Sequence, residues 1–328
     1  MNLPYGILSR DKVCKTVQQD YSLNTFQYNI NTGGCIMPSM TEIIRKQFAE
    51  GDKKRDEGLT TPEDVVRFDD IVYGEDPVWQ VLDVYRPKGT EGKLPVIISV
   101  HGGAWVYGDK EVYQFYCMSL AQRGFAVVNF TYRLAPENKF PASLEDTNSV
   151  CGWVMRNADT YGFDTDRIFM VGDSAGAHNL TLYTCILTNP AYAAKYPFAV
   201  PEGFHVKAAA LNCGIYQMVR SEKDTMTPAM MKDILPQGGT DEEMALLSGV
   251  SYITENFPPV FIMTSNEDFL NEQPELLTPV LKKLGIPFAY HFYGTKQNPL
   301  GHVFHCNIRL AEAALCNDEE CAFFRKYM

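Results

Sequence analysis

The feature of this sequence that most constrains its fold is the alternation of apolar runs with amphipathic stretches along most of the chain. The runs "LPVIISV", "GFAVVNF" and "DRIFMVGD" are nearly continuous and lack the polar alternation of a strand with one solvated face. Such runs predict strands that are covered on both faces, as in a mostly parallel sheet. Because helical stretches separate the runs, we predict an α/β fold with a mostly parallel central sheet and helices on both faces.

The periodicity also predicts where the individual elements lie. Strands are predicted within residues 78–87, 94–103, 124–133, 166–173, 206–214, 258–265 and 286–294. Helices are predicted within residues 38–58, 111–124, 141–162, 175–187 and 274–284, and from about residue 305. Each of these assignments follows from apolar spacing and from the glycines and prolines that bound the segments.

Two segments fall outside the alternation and predict the domain organisation. Residues 1–65 are polar and mixed, with one helical stretch, so we interpret them as an N-terminal arm that contributes to a cap. Residues 66–328 form the predicted main domain. Within it, residues 216–257 are rich in Met, charge and Gly, and they are longer than connections between strands usually are. This insertion is the predicted small cap over a site.

Length, composition and charge exclude several classes of partner. A chain of 328 residues can bury a core without disulfide staples, and its 45% apolar and 21% charged residues are ordinary for a globular protein. The formal net charge of −11 gives no reason to expect binding to nucleic acid or to an anionic membrane, because both rely on clustered Lys and Arg. Neutral substrates suit this balance better.

Cysteine usage and the N-terminus predict a soluble, cytoplasmic protein. The nine cysteines are scattered, several lie inside apolar runs, and none forms a CxxC pair. We therefore expect reduced, buried thiols and neither a metal nor another cofactor. The first residues lack a cationic region followed by an apolar one, and no apolar run approaches the ~18–20 residues of a membrane span.

The stretch "MVGDSAGAHN" places Ser174 among small residues, after an apolar run and before a predicted helix. Glycine inside a regular element costs roughly 0.5–1 kcal/mol relative to alanine. Gly172 and Gly176 therefore indicate a turn where strand and helix backbones pass too closely for a β-carbon. Such a turn lifts a serine hydroxyl above the sheet and backs it with a helix N-terminus. Ser174 is the predicted nucleophile, with a chance GxSxG as the alternative.

A serine nucleophile needs a base and an orienting carboxylate, which in this fold follow the serine in the order acid, then histidine. Of the six histidines, only His302 and His305 lie in a late loop after the last predicted strand. We favour His302 as the base, because Gly301 allows a tight loop that aims its ring. His305 is predicted in the first turn of the terminal helix, as a surface or packing residue.

The acid and the donors for a developing negative charge are also predicted from their places after strands. Glu267 and Asp268 follow the strand "PPVFIMTS", and either could orient the base, since carboxylates at the carboxyl ends of parallel strands face the ligand side. The predicted oxyanion hole combines the N–H of Ala175 with a glycine-rich loop after an earlier strand, at Gly102, Gly103 and Ala104. The aromatic residues predicted to line an acyl or aromatic pocket are Trp105, Tyr107 and Phe269, with core packing as the alternative.

The motifs "HGGAW", "YRLAPE", "GDSAG", "SNEDFL" and "GHVF", in this order, resemble those of the hormone-sensitive-lipase-like esterases of the α/β-hydrolase superfamily. The resemblance covers about residues 80–310. It implies an α/β-hydrolase fold with a triad of Ser174, Asp268 and His302, and a cap built from the N-terminal arm and an insertion. Two departures stand out: Ala104 replaces the third loop glycine, and "SAGAHN" is also similar to the elbows of acetylxylan or feruloyl esterases and kynurenine formamidases.

The leading functional hypothesis is a serine carboxylester hydrolase that acts on small acyl esters, with acetylated or feruloylated carbohydrate as one candidate class. An arylformamidase or amidase with the same triad is the second hypothesis. A non-catalytic binding protein on a hydrolase scaffold is the third, because a fold does not determine a function. The expected partner is a small-molecule ester. The sequence leaves the oligomeric state open, with a homodimer among the alternatives.

Overall fold

An eight-stranded sheet forms the centre of the molecule. The structure is a computed structural model that describes residues 38–218 and 226–328. The strands are β1 (Val65–Val72), β2 (Val81–Pro87), β3 (Leu94–Val100), β4 (Ala126–Phe130), β5 (Phe163–Asp173), β6 (Ala208–Asn212), β7 (Val260–Ser265) and β8 (Phe288–Tyr293). Their order is β1-β2-β4-β3-β5-β6-β7-β8. Only the β1–β2 and β2–β4 pairs are antiparallel, which confirms the predicted mostly parallel sheet.

Helices follow most of the strands along the chain. They are α1 (Met40–Asp56), α2 (Lys110–Gln122), α3 (Ala142–Arg156), α4 (Ala158–Tyr161), α5 (Ala175–Thr188), α6 (Pro190–Ala193), α7 (Met226–Ile234), α8 (Asp241–Leu246), α9 (Pro274–Leu284) and α10 (Ala311–Arg325). Short 3₁₀ turns lie at Gly249–Ser251 and Phe304–Cys306. This arrangement is the predicted α/β-hydrolase fold.

Helices pack on both faces of the sheet, and this explains why the central strands lack polar alternation. On β3, Val96 and Ile98 belong to one apolar core together with residues of α3 and α5. Ile97 points the other way and belongs to a second core with residues of α2 and α10. All three side chains are fully buried, so neither face of this strand needs a polar residue.

Two differences from the predicted elements have physical causes. Strand β1 was not predicted, because it is an edge strand whose charged side chains around Asp69 and Asp70 are exposed and hide the apolar pattern. The terminal helix begins at Ala311 and not near residue 305. His305 lies in the preceding 3₁₀ turn, so the prediction that it belongs to the first turn of the terminal helix was wrong. It is fully buried, which agrees with the packing role and not with the surface role among the two predicted alternatives.

The helix α1 packs near the region that the sequence predicted as a cap. Its N-terminus carries a capping box in which Ser39 and Glu42 exchange hydrogen bonds. The Thr41 hydroxyl donates to Asp233 on α7 at 2.6 Å. The Arg45 guanidinium donates to the carbonyl oxygens of residues 106 and 135, close to the loop that follows β3. These contacts connect α1 both to α7 and to the main domain.

The cysteines of the described segments agree with the prediction of reduced thiols. The free, buried cysteines are Cys117, Cys151, Cys185, Cys213, Cys306, Cys316 and Cys321. Cys14 and Cys35 lie outside the described residues, as does most of the predicted N-terminal arm. Within residues 38–218 and 226–328, no helix combines the length and apolarity needed to cross a membrane.

Candidate functional site

Ser174 occupies the turn between β5 and α5. Its backbone has φ 52° and ψ −119°, which is a strained conformation for a residue with a side chain. A β-carbon added to Gly176 would lie 2.1 Å from the carbonyl oxygen of Val100, and one at Gly172 would lie 2.7 Å from the backbone of Gly176. The glycines therefore permit the close approach inferred from the sequence. The Ser174 N–H donates to Asn212 O at 2.9 Å and attaches the turn to β6.

Asp268 and His302 form a hydrogen-bonded pair at the end of β7. The Nδ1–H of His302 donates to Asp268 Oδ1 at 2.7 Å, and the Thr264 hydroxyl donates to Asp268 Oδ2 at 2.6 Å. Burial alone would raise the pKa of Asp268, but the hydrogen bonds from His302 and Thr264 hold it below its usual range. The neighbouring Glu267 is exposed and accepts from Asn266 instead. The structure thus places Asp268, and not Glu267, against the imidazole.

The loop that carries His302 is held against the end of β7. Ser265 Oγ donates to Gly301 O at 3.0 Å, and the Leu300 N–H donates to Asn266 Oδ1 at 3.0 Å. The His302 ring packs on Phe269 with ring centroids 4.3 Å apart. These contacts fix the direction of the imidazole.

Ser174 lies at the same carboxyl edge of the sheet as this pair. Cys213 directly follows Asn212, whose carbonyl oxygen accepts the hydrogen bond from the Ser174 N–H. The Cys213 thiol also lies within 4.8 Å of an oxygen of Asp268 and a ring nitrogen of His302. Among the described residues, no hydrogen bond is made to Ser174 Oγ. The hydroxyl is therefore free to change its rotamer and its partner.

The loop after β3 brings free N–H groups to this edge. Its backbone is left-handed at Gly103 (φ 113°) and Ala104 (φ 53°), and Ala104 adopts this conformation with a β-carbon present where the resembling family has glycine. A β-carbon at Gly103 would lie 1.9 Å from the Tyr107 carbonyl oxygen. Within the described part of the chain, the N–H groups of Gly103, Ala104 and Ala175 have no acceptor.

Gly102 does not contribute to this set of donors. Its N–H donates to the Tyr113 hydroxyl at 2.9 Å, so this N–H is not free to act as the oxyanion donor that the sequence predicted. The sequence could not reveal this engagement, because Tyr113 lies on α2 among other aromatic residues of a helical pattern.

The three aromatic residues predicted to line a substrate pocket have different surroundings. Trp105 is buried and helps to line a pocket, whereas Tyr107 turns towards α1 and donates to Asp52 at 2.9 Å. Phe269 is 55% exposed beside His302. The pocket is lined by Trp105, Arg133, Ala135, Asn138, Phe140, Ser143, His178, Met218, Met231, Ile234 and Leu247. Tyr107 is not among these residues, so its placement does not support a role in that pocket.

His178 connects the pocket wall to the insertion, a contact that the sequence did not predict. Trp105 Nε1–H donates to His178 Nδ1 at 3.3 Å, so the other nitrogen, Nε2, carries the proton and donates to Leu247 O at 2.8 Å. Burial lowers the pKa of His178 to about 4, which keeps the ring neutral near pH 7. The only signal in the sequence was a histidine at an otherwise apolar helix position.

Within residues 38–218 and 226–328, two groups of side chains have the residue types of metal ligands. They are Asp173, His305 and Cys306, and Cys213, Asp268 and His302, each with donor atoms within 4.8 Å of one another. The Asp173 carboxylate already accepts from the Tyr113 hydroxyl at 2.7 Å, and Asp268 accepts from His302 and Thr264. We assign no metal to either group.

Comparison with known proteins finds similarity to esterases. The model of the BD-FAE family matches residues 82–278. Esterase LipC of Mycobacterium tuberculosis is 31% identical over 209 residues, which are 60% of this chain and 50% of LipC. The versiconal hemiacetal acetate esterase of Dothistroma septosporum is 28% identical over 224 residues, 64% of this chain and 67% of that protein. The chain thus spans about half the length of LipC.

Solved structures show the same fold. One is esterase B from Lactobacillus rhamnosis in a form inhibited by a tributyrin phosphonate, which superposes with a TM-score of 0.81 at 26% identity. The superposition covers 88% of this chain and 94% of the esterase B chain. An esterase from Pyrobaculum calidifontis superposes with a TM-score of 0.69 at 23% identity, which supports the fold alone. Together with the strand order and the family match, these likenesses show that the chain belongs to the BD-FAE family, among the α/β-hydrolases of the hormone-sensitive-lipase-like type.

Proposed function

We propose that the chain is a serine carboxylester hydrolase that uses Ser174, His302 and Asp268. The observation that carries the proposal is the Asp268–His302 hydrogen bond of 2.7 Å at the sheet edge where the strained Ser174 turn projects. With Nδ1–H donated to Asp268, the free nitrogen of the imidazole is Nε2, which is the atom that a serine proton must reach. The esterase relatives support the same reaction class.

The chemistry follows from these groups. His302 Nε2 accepts the Ser174 proton as Oγ attacks the ester carbonyl carbon, and the carbonyl oxygen becomes an oxyanion. The N–H groups of Gly103, Ala104 and Ala175 are the proposed donors to that oxyanion. His302 then returns the proton to the leaving alkoxide, and water hydrolyses the acyl-enzyme by the same steps. The absent Ser174–His302 hydrogen bond is consistent with this role, because catalytic hydrogen bonds often tighten only when substrate binds.

The substrates we propose are esters with small, neutral acyl groups. The pocket beside Trp105 presents mostly apolar side chains, among them Met218, Met231 and Ile234. The one cation among its described lining residues, Arg133, is already paired with Asp146 at 2.9 Å and Glu145 at 2.8 Å. One relative is named as an esterase of an acetate, versiconal hemiacetal acetate. Acetylated or feruloylated carbohydrate remains a candidate substrate class for this chain.

We also propose that α1 and residues 216–257 form the cap over this site. The Thr41–Asp233 hydrogen bond joins α1 to α7, and Leu247 of the insertion receives the His178 hydrogen bond. Residues of both α7 and the segment after α8 line the pocket, so movement of the cap would change the pocket's shape.

The first prediction tests the nucleophile. Ser174→Ala is expected to abolish hydrolysis of p-nitrophenyl acetate and labelling by a fluorophosphonate probe, because both need the Oγ atom. The matched control is Ser149→Ala, which removes a half-buried hydroxyl on α3 that donates to Glu145 O and leaves the site untouched. Activity and labelling of the control are expected to equal those of the wild type.

A labelled or active Ser174→Ala variant would overturn the proposed function.

A series of esters with acyl chains from acetate to octanoate, together with an acetylated xylo-oligosaccharide, then measures the substrate class. Rates on N-formylkynurenine and on matched esters distinguish an amidase from an esterase.

A further inference from the structure

Tyr113 lies between the two segments that supply the free N–H groups. Its hydroxyl donates to Asp173 Oδ2 at 2.7 Å and accepts from the Gly102 N–H at 2.9 Å. Tyr113 and Asp173 are both buried, and Tyr113 belongs to α2, outside both segments. One phenol group therefore bridges the loop after β3 and the turn after β5.

Each end of this bridge lies directly beside the proposed donors. Gly102 precedes Gly103 and Ala104, and Asp173 precedes Ser174 and Ala175. The two segments are already in tight contact, since a β-carbon at Gly102 would lie 2.8 Å from Asp173 Oδ2. Both also contain left-handed residues, whose strained backbone persists only when surrounding contacts hold it.

A phenol suits both ends of the bridge. Burial raises the pKa of Asp173 to about 6, while the Tyr113 hydrogen bond opposes this rise. Burial also raises the pKa of the Tyr113 phenol well above its usual range, so it stays protonated. The same oxygen can then donate to the carboxylate and accept from the N–H, which a phenolate or a carboxylate could not do.

We infer that Tyr113 is a positioning residue that sets the spacing between the N–H donors of Gly103 and Ala104 and the N–H donor of Ala175. The inference rests on the proposed function, because those donors matter only if an oxyanion forms. Donors stabilise an oxyanion only at about 2.7–3.1 Å from its position. A small shift of one segment therefore reduces the stabilisation of the transition state and leaves substrate binding in the ground state unaffected.

The test compares Tyr113→Phe with Tyr116→Phe. Tyr116 is the matched control, because it lies one turn later on α2, is equally buried, and donates to Glu320 at 3.1 Å instead of bridging the site. For p-nitrophenyl acetate we expect kcat of Tyr113→Phe to fall about 10- to 100-fold with KM within about twofold of the wild type. The kcat of Tyr116→Phe is expected to stay within about threefold.

A second readout separates positioning from general destabilisation. An aryl trifluoromethyl ketone forms a hemiketal oxyanion with a reactive serine, so its Ki for Tyr113→Phe should weaken by the same factor as kcat. The conservative variant Asp173→Asn retains an oxygen that can accept from Tyr113, and we expect it to keep most of the wild-type kcat. Asp173→Ala removes that acceptor and should lose kcat as Tyr113→Phe does.

The outcomes distinguish this inference from the proposed function. If Ser174→Ala is inactive but Tyr113→Phe retains the wild-type kcat, only the positioning role fails. Equal losses of kcat in Tyr113→Phe and Tyr116→Phe, or an unchanged Ki for the ketone, would also overturn it. If Tyr113→Phe does not fold, the Asp173→Asn and Asp173→Ala pair decides, and equal kcat values in that pair contradict the inference.

Discussion

At the scale of single residues, the candidate site depends on conformations that other residues must hold. Ala104 and Ser174 have positive φ angles, and such strained conformations persist only when surrounding contacts hold them. The imidazole of His302 is oriented by Asp268 on one edge and by Phe269 on its face. Geometry at this scale also separates two adjacent carboxylates that the sequence could not rank from residue type alone.

The contrast between Asp268 and Glu267 gives a prediction at this scale. Asp268→Asn replaces the carboxylate that orients His302 by an amide, which favours the wrong tautomer. We expect kcat to fall by about 10⁴, the loss seen when this substitution is made in a serine triad. Glu267→Gln, at an exposed residue, should change kcat by less than about twofold. Steady-state kinetics measure both, and a larger loss from Glu267→Gln would reverse the assignment of the acid.

At the scale of elements, the candidate site depends on a close contact among β3, β5 and α5. Strand β3 lies beside β5, and the first turn of α5 crosses the end of β3 at a distance that only glycine allows. The helix N-terminus is thereby aimed at the place where negative charge would develop. The turn at Ser174 thus combines a packing constraint with the proposed catalytic one.

Two glycine substitutions test this packing with opposite expected signs. Gly176→Ala places a β-carbon 2.1 Å from the Val100 carbonyl oxygen, so we expect a loss of folding free energy of about 3 kcal/mol or more. Gly51→Ala lies within α1 with no atom within 4 Å, and it should stabilise the protein by roughly 0.5–1 kcal/mol. Chemical denaturation measures both, and an equally stable Gly176→Ala variant would refute the close approach.

At the scale of the whole molecule, buried ionisable groups lie behind the site, between the sheet and α10. Glu320 on α10 is fully buried and accepts from Asn212 at 2.7 Å and from Tyr116 at 3.1 Å. Burial raises the pKa of Glu320 to about 7, although both hydrogen bonds oppose the rise. The folded protein therefore binds this proton more tightly than the unfolded chain, whose glutamates titrate near pH ~4.3.

This difference predicts a pH-dependent stability. The stabilisation from protonated Glu320 is fully present below about pH 4.3 and is lost as the pH rises through about 7. Glu320→Gln does not titrate, so its free energy of unfolding relative to the wild type should rise by about 3 kcal/mol between pH 5 and pH 8. Denaturant titrations at the two pH values measure this change. A difference that does not vary with pH would contradict the raised pKa.

The sequence by itself determined the fold class and the order of the main elements, because burial on both faces of a parallel sheet leaves continuous apolar runs. It also singled out the Ser174 turn, since glycines at residues 172 and 176 serve no purpose in a regular strand or helix. The element order and the Ser174 turn depend on residues close together in the sequence, so a pattern over a short stretch is enough to predict them.

Only the tertiary structure decided which groups meet across the molecule. The resemblance implied the pair of His302 and Asp268, but only the structure shows their hydrogen bond. The engagement of the Gly102 N–H by Tyr113 and the burial of His305 likewise depend on residues distant in the chain. Such contacts depend on how strands and helices pack, which apolar periodicity does not encode. Strand β1 could not be predicted from the sequence, because its exposed edge position removes the apolar pattern that marks the central strands.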